Sequence, residues 1–308
     1  VLKPTHASVL KPTHASVLKP TRASVLKPTH ASVLKPTHDP AFISLHEDPS
    51  PVAQPIDFAR FKNLSYDDFR RMAADPALSL NEKIGFPESY RAGYGEVIFA
   101  DIVSKLAPLT REGALIVDIG PGCAELPRLT LAHAAAHRQH LVLIDAPEML
   151  DLLPDAAVDG PPVTKIGAFF PDGCTDWVNA HLGQADAVLV YSVIQTLFTT
   201  ASVTHFIDTA LALLRPGGAL LVGDIPNISK RRRFFASESG IAFHKAFMNT
   251  EEAPDVRFNT LEPGSFDDGA LLGLLVRARA AGFDAYWLPQ PPDLPLANRR
   301  EDLLFVRP

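Results

Sequence analysis

Four apolar runs limit most strongly how this chain can fold: LIVDI at 115–119, HLVLID at 140–145, ADAVLVYSV at 185–193 and ALLVGDI at 219–225. Each has the length of a strand, and none alternates cleanly between apolar and polar residues. Such runs read as strands buried on both faces. PVTKIG (162–167) is a further strand. Helical stretches lie between them. Glu125 to Arg138 reads as helix, PEMLDLL opens another with proline in its first turn, and His205 to Leu214 is a third. Strands separated by helices pair in parallel, with helices on both faces of the sheet. A helix over Phe266 to Ala281 precedes DAYWLP (284–289) and DLLFVR (302–307). Only a loop joins those last two strands, so they are expected to pair antiparallel. The fold class is α/β, a doubly wound sheet.

The N-terminal third is different. Residues 1–40 repeat an octapeptide, VLKPTHAS, five times with small changes. Eight residues with two apolar side chains cannot build a stackable unit, which needs about 20 residues. The recurring Lys-Pro pair blocks a continuous helix. A disordered basic tail is expected. His6, His14, His30 and His38 recur in it, but neighbours in an extended chain lie roughly 26 Å apart, too far to chelate one metal. Residues 41–56 form a Pro-rich linker. In residues 57–95, Ser65 reads as a helix N-cap with Asp67 and Asp68 in the first turn. NEKIGFPESYRAGYGE (81–96) reads as a lid or entrance segment. A helix from about Glu96 to Leu106 opens the main domain, 96–308.

Charge separates tail from body. Six basic residues and no acid lie in 1–38, which leaves 23 basic and 35 acidic residues in the remainder. An acidic body argues against nucleic-acid binding, which relies on basic surface. No run of 18 apolar residues occurs, so no membrane span is expected. No charged-then-apolar signal segment opens the sequence. Cys123 and Cys174 are the only cysteines; they fit a reducing cytoplasm and lack metal-ligand spacing.

Chemistry concentrates after the first strand, in VDIGPGCAEL. A glycine-rich turn between strand and helix lets backbone approach a ligand and aims amides at it. A dinucleotide site needs GxGxxG. Here Gly120 and Gly122 are followed by Glu125 in the third position, and an acid there repels pyrophosphate. The Walker pattern is absent too. Asp145 ends the second strand, where an acid can accept hydrogen bonds from both ribose hydroxyls; alternatively it caps the PEML helix. The favoured ligand is a nucleoside without phosphates.

VDIGPGCAEL, LVLIDAPEML, ADAVLVYSVIQTLF and LLRPGGALLVGDI, in this order, resemble the successive motifs of the class I S-adenosylmethionine-dependent methyltransferases. The resemblance covers about residues 96–308. It implies a Rossmann-like seven-stranded sheet with an antiparallel last strand. It also implies a cofactor site: Asp118, Gly120, Pro121 and Gly122 beside the methionine and ribose, Asp145 on the ribose, Ala146 and Met149 beside the adenine, and Tyr191, Ser192 and Val193 as floor. Many members carry an acid near the adenine amine. Gly167, Ala168 and Phe169 stand in that region here, so backbone and aromatic stacking would hold the ring.

The acceptor is harder to read. The Asn/Asp-Pro-Pro-Tyr/Phe pattern of DNA amino methylases is absent, as is the Pro-Cys of cytosine methylases. Lys230, Arg231, Arg232 and Arg233 cluster after the fifth strand; arginine forks suit phosphate or carboxylate, though a solvated helix start is an alternative. His244 is a candidate general base, oriented by Asp224. Gln195 is a candidate substrate contact, and Tyr90 and Arg91 are candidates to close over the cofactor carboxylate. The lid segment, IPNISKRRRFF and the C-terminal NRREDLLFVRP resemble methyltransferases of bacterial surface-sugar biosynthesis. The expected activity is methyl transfer to a small molecule such as a sugar or nucleotide-sugar hydroxyl. A nicotinamide-dependent oxidoreductase and a non-catalytic methyltransferase-like scaffold are the alternatives.

Overall fold

A computed structural model describes residues 58–308 apart from 62, 157–159 and 162. The repeat tail and the 41–56 linker lie outside the described residues. The first α-helix, α1 (Tyr66–Ala74), starts where expected. Ser65 Oγ accepts the Asp68 amide at 3.2 Å and the Asp68 carboxylate accepts the Ser65 amide at 2.8 Å, a reciprocal capping box. Ser79 and Glu82 repeat the device at α2 (Leu80–Lys83), which leads to α3 (Glu88–Arg91) and α4 (Gly95–Lys105). The segment read as a lid therefore contains two single-turn helices.

Seven strands follow: β1 (Leu115–Ile119), β2 (His140–Asp145), β3 (Thr164–Gly167), β4 (Ala185–Tyr191), β5 (Leu214–Pro226), β6 (Asp284–Pro289) and β7 (Arg300–Val306). Their order is β3-β2-β1-β4-β5-β7-β6. The first five are parallel, and β7 runs antiparallel to both β5 and β6. The intervening helices are α5 (Glu125–Ala136), α6 (Pro147–Leu150), α7 (Thr175–Ala180), α8 (Ile194–Thr200), α9 (Val203–Leu213), α10 (Ile228–Phe235), α11 (Glu238–Met248) and α12 (Asp268–Ala280).

Period-two alternation explains why the apolar strands need helices on both sides. Val117, Val142, Val188 and Leu220 point to one core, with Phe206 and Ile207 of α9 and Leu271 and Leu274 of α12. Ile116, Leu141, Leu189 and Leu221 point to the other, with Ile98 and Ile102 of α4 and Leu131 of α5. Sequence patterning does not reveal α7, α8 or α11, and it offers α10 only as the alternative reading of the basic cluster. Helix α10 shows why: ISKRRRFF has no apolar stripe, and no residue of it is buried. It forms because Asn227 Oδ1 accepts the Ser229 amide at 2.9 Å and the Lys230 amide at 3.3 Å. Strand β4 stops at Tyr191, two residues before the apolar run ends, because Ser192 turns to φ 60°.

Candidate active site

The chain order reverses at β1, which pairs with β2 on one side and β4 on the other. Open α/β sheets bind ligands beyond the carboxyl ends of the strands at such a reversal. A cavity lies there, with about 1160 Å³ of space including its open mouth. Gly120, Pro121 and Gly122 line it from the β1 turn, Asp145 and Met149 from β2 and α6, and Ala168 and Phe169 from the segment after β3. Tyr191, Ser192 and Val193 line it from the end of β4.

Both turn glycines are required by geometry. Gly120 (φ 72°) and Gly122 (φ 68°) take the left-handed conformation that costs L side chains energy. A Cβ on Gly120 would sit 2.5 Å from Val193, and one on Gly122 would sit 2.6 Å from Ile84 of the lid segment. The Gly122 amide donates to Asp145 Oδ2 at 2.8 Å, and the Ala146 amide donates to Oδ1 at 2.7 Å. These bonds aim the carboxylate along the cavity wall. Burial nevertheless pushes the Asp145 pKa up to about 6, against the opposing pull of the two amides. Asp118 is buried behind the turn. Burial, reinforced by the Asp145 charge, pushes its pKa up to about 8.

The opposite wall comes from the N-terminal segment: Tyr66 and Phe69 of α1, Asn81, Ile84, Phe86 and Arg91. Sequence reasoning identifies the segment and Arg91 but not the other side chains, whose only signal is an aromatic and apolar content without periodicity. The Tyr66 pKa is pushed up to about 12, first by burial and then by Asp145. Arg91 donates to Ser192 Oγ at 2.7 Å and forms an ion pair with Asp224, both partners being buried. Its guanidinium also stacks over Phe86 at 4.1 Å. Burial alone would raise the Asp224 pKa. Arg300 and Arg91, with the Ser192 hydroxyl, hold it below the usual carboxylate value. The Asp224 amide is fixed in turn by Asp302 Oδ1 at 2.8 Å, and Lys105 Nζ reaches Asp302 Oδ2 at 2.6 Å. Ser192 (φ 60°) and Asp224 (φ 59°) both hold left-handed backbone. Such strain costs roughly 1–3 kcal/mol per residue and clusters at functional sites.

Several expected residues stand elsewhere. Asp118, Ala146 and Gly167 do not line the cavity; Asp118 is 2% exposed and Ala146 fully buried, whereas Gly167 is exposed at the end of β3. Asp224 does not orient His244, because its carboxylate is taken by Arg91, Ser192 and Arg300. His244 is on α11, lines neither this cavity nor the second one described below, and packs edge-on against Phe235 at 6.1 Å. Arg232 and Arg233 do not form an open anion site: Arg232 pairs with Glu262 at 2.7 Å and Arg233 with Asp268 at 2.5 Å. Arg231 and Gln195 line a second cavity, with Arg299 and Arg300. Glu125 does occupy the first turn of α5 and lines the first cavity. Among the described residues no group of histidine, cysteine and carboxylate side chains is placed to hold a metal ion. No helix among them is long and apolar enough to cross a membrane.

No protein-family model matches the chain, and no curated protein matches it. Solved structures do. The plantazolicin methyltransferase BpumL in complex with SAH is similar at a TM-score of 0.50 and 11% identity, over 78% of this chain and 95% of that one. A second BpumL structure, with a monoazolic desmethylPZN analog and SAH, also gives 0.50, at 10% identity over 79% and 97%. The N-methyltransferase NodS from Bradyrhizobium japonicum WM9, in complex with SAH, gives 0.47 at 14% identity, over 79% and 98%. The BpumL likeness agrees with the strand order: the chain has the Rossmann-like fold of the class I methyltransferases.

Proposed function

We propose that this chain is an S-adenosylmethionine-dependent methyltransferase acting on a small molecule. The observation that carries the reading is the pairing of an amide-held Asp145 on the cavity wall with Glu125 in the first turn of α5. The first suits a ribose. The second disfavours pyrophosphate at that helix N-terminus, and with it a nicotinamide dinucleotide. The lining fits the group in other respects. A Cβ would fill the cradle at Gly120 and Gly122, and Met149, Ala168 and Phe169 offer an apolar slot for a flat ring. Arg91 is the one lysine or arginine among the described residues of this lining, and it is already paired with Asp224. When bound, S-adenosylmethionine supplies an electrophilic methyl group on a sulfonium, open to in-line displacement by an acceptor atom.

The protein's part is alignment and exclusion of water. Tyr66 and Phe69 of α1 and Phe86 of the lid segment close one side of the cavity, and the buried Arg91–Asp224 pair fastens the lid to the sheet. We favour a sugar or nucleotide-sugar hydroxyl as acceptor, on the resemblance of the lid and C-terminal segments. Incubation with methyl-labelled cofactor and a panel of nucleotide sugars tests this reading. Label should appear on a sugar oxygen. Transfer to amine acceptors alone would overturn the choice of hydroxyl, and cofactor binding without turnover on any extract would favour a scaffold.

A further inference from the structure

The second cavity is lined by Gln195, Asn227, Arg231, Glu262, Arg299 and Arg300, with Pro226, Ile228 and Phe266 among the remainder. Three guanidinium groups converge on it. The neighbouring cations are neutralised: Lys230 lies 3.4 Å from Glu301, and Arg232 and Arg233 have the carboxylates named above. Arg300 is spent on Asp224, donating to its carbonyl at 2.9 Å and lying 3.7 Å from Oδ1. Arg231 and Arg299 have no carboxylate partner among the described residues; both lie over the Phe235 ring at 5.7 Å, and Tyr90 also acts electrostatically on Arg299. The one acid in the lining, Glu262, is held by Arg232.

Unbalanced positive charge in a partly buried cleft is costly unless an anion answers it. Burial lowers the Arg299 pKa; Tyr90 opposes that shift, and Arg300 and Arg231 add to it. A second unmet need lies beside it. Gln195 Nε2 donates to the Ser192 carbonyl at 2.6 Å, but its buried Oε1 has no partner. A carbonyl oxygen there asks for a donor such as a hydroxyl.

The two cavities share one wall. Arg91 lines the first, Arg300 lines the second, and both hold the Asp224 carboxylate. Ser192 lines the first and Gln195, one helical turn on, lines the second.

We infer that the second cavity is a recognition subsite for an oxyanion on the acceptor, held by the Arg231 and Arg299 forks, with Gln195 Oε1 accepting from a neighbouring hydroxyl. This rests on the methyltransferase reading and narrows its substrate to an anionic, hydroxyl-bearing molecule. A phosphoryl group and a carboxylate share this chemistry.

Titration calorimetry with inorganic phosphate and with acetate at constant ionic strength tests the subsite, and the same preparations are titrated with S-adenosylhomocysteine. One oxyanion should bind saturably; the tighter one names the source. Arg231→Ala and Arg299→Lys should each weaken it by about tenfold, the loss expected for one charge-assisted fork. Arg231 is exposed, so its variant keeps the test valid if the half-buried position disturbs folding. S-adenosylhomocysteine affinity should stay unchanged in both. Absence of saturable oxyanion binding, or binding indifferent to both substitutions, overturns the subsite. Failure of S-adenosylhomocysteine to bind the unaltered chain would instead overturn the cofactor reading.

Discussion

Asp118 near the end of β1 and Asp145 at the end of β2 lie on neighbouring strands at the sheet's reversal point, and burial raises both pKa values. The consequence for stability has a definite sign. An unfolded aspartate releases its proton near its model value of 3.8, whereas folded Asp118 keeps it to about 8. Between those values the folded state binds more protons, so this group's contribution to stability falls as pH rises. Asp118→Asn removes that fall. Denaturant unfolding at about pH 5 and about pH 8 should show a smaller loss in the variant than in the unaltered chain; an equal loss would contradict the assignment. Asp145 acts on binding. Its ionised form is the better acceptor for ribose hydroxyls, so S-adenosylhomocysteine should bind more weakly as pH falls through about 6. Asp145→Asn should bind weakly throughout and flatten that profile.

At the scale of elements, the lid is joined to the sheet by few but strong contacts. Helix α3 delivers Arg91 to Asp224, a left-handed residue within β5 where the pairing with β7 shifts register. Arg91→Ala leaves Asp224 buried with Arg300 and Ser192 as its remaining partners. It should cost about 3 kcal/mol in denaturant unfolding, the lower end for a broken buried pair, and it should weaken cofactor binding as well. Helix α1 depends on its cap, so Ser65→Ala should cost about 1 kcal/mol. These two elements differ in legibility. The α1 cap is a local pattern, and Ser65 with Asp68 announces it in four residues. The Arg91–Asp224 contact joins positions 133 apart, and no local pattern carries it. Helix α10 stood only as an alternative for another reason: a side-chain cap and ion pairs to Glu301, Glu262 and Asp268 hold it, not an apolar face.

For the whole molecule, the sheet was largely readable because strands buried on both faces write continuous apolar runs, and the bounds of β1 and β2 fall where those runs do. Much of the lining of the strand-end cavity was readable for the same reason, since Gly120, Asp145 and Tyr191 stand at or just after strand ends in sequence, whereas Asp118, Ala146 and Gly167 do not line it. The second cavity was readable only in part, through Gln195 and Arg231. Its cations come from α10 and from the turn before β7, and which arginines remain unneutralised depends on Glu262, Asp268 and Asp224 arriving from distant segments. The resulting architecture places the strand-end cavity and a cationic cleft on either side of Asp224.

The central claim is that the β1 turn holds a nucleoside without phosphates. Calorimetric titration of the chain with S-adenosylhomocysteine and, in parallel, with NAD tests it directly. S-adenosylhomocysteine should bind one-to-one, and Asp145→Ala should weaken it by about tenfold or more through loss of the ribose contacts. NAD should not bind. Binding of NAD in preference, or S-adenosylhomocysteine binding untouched by the Asp145 substitution, would contradict the account.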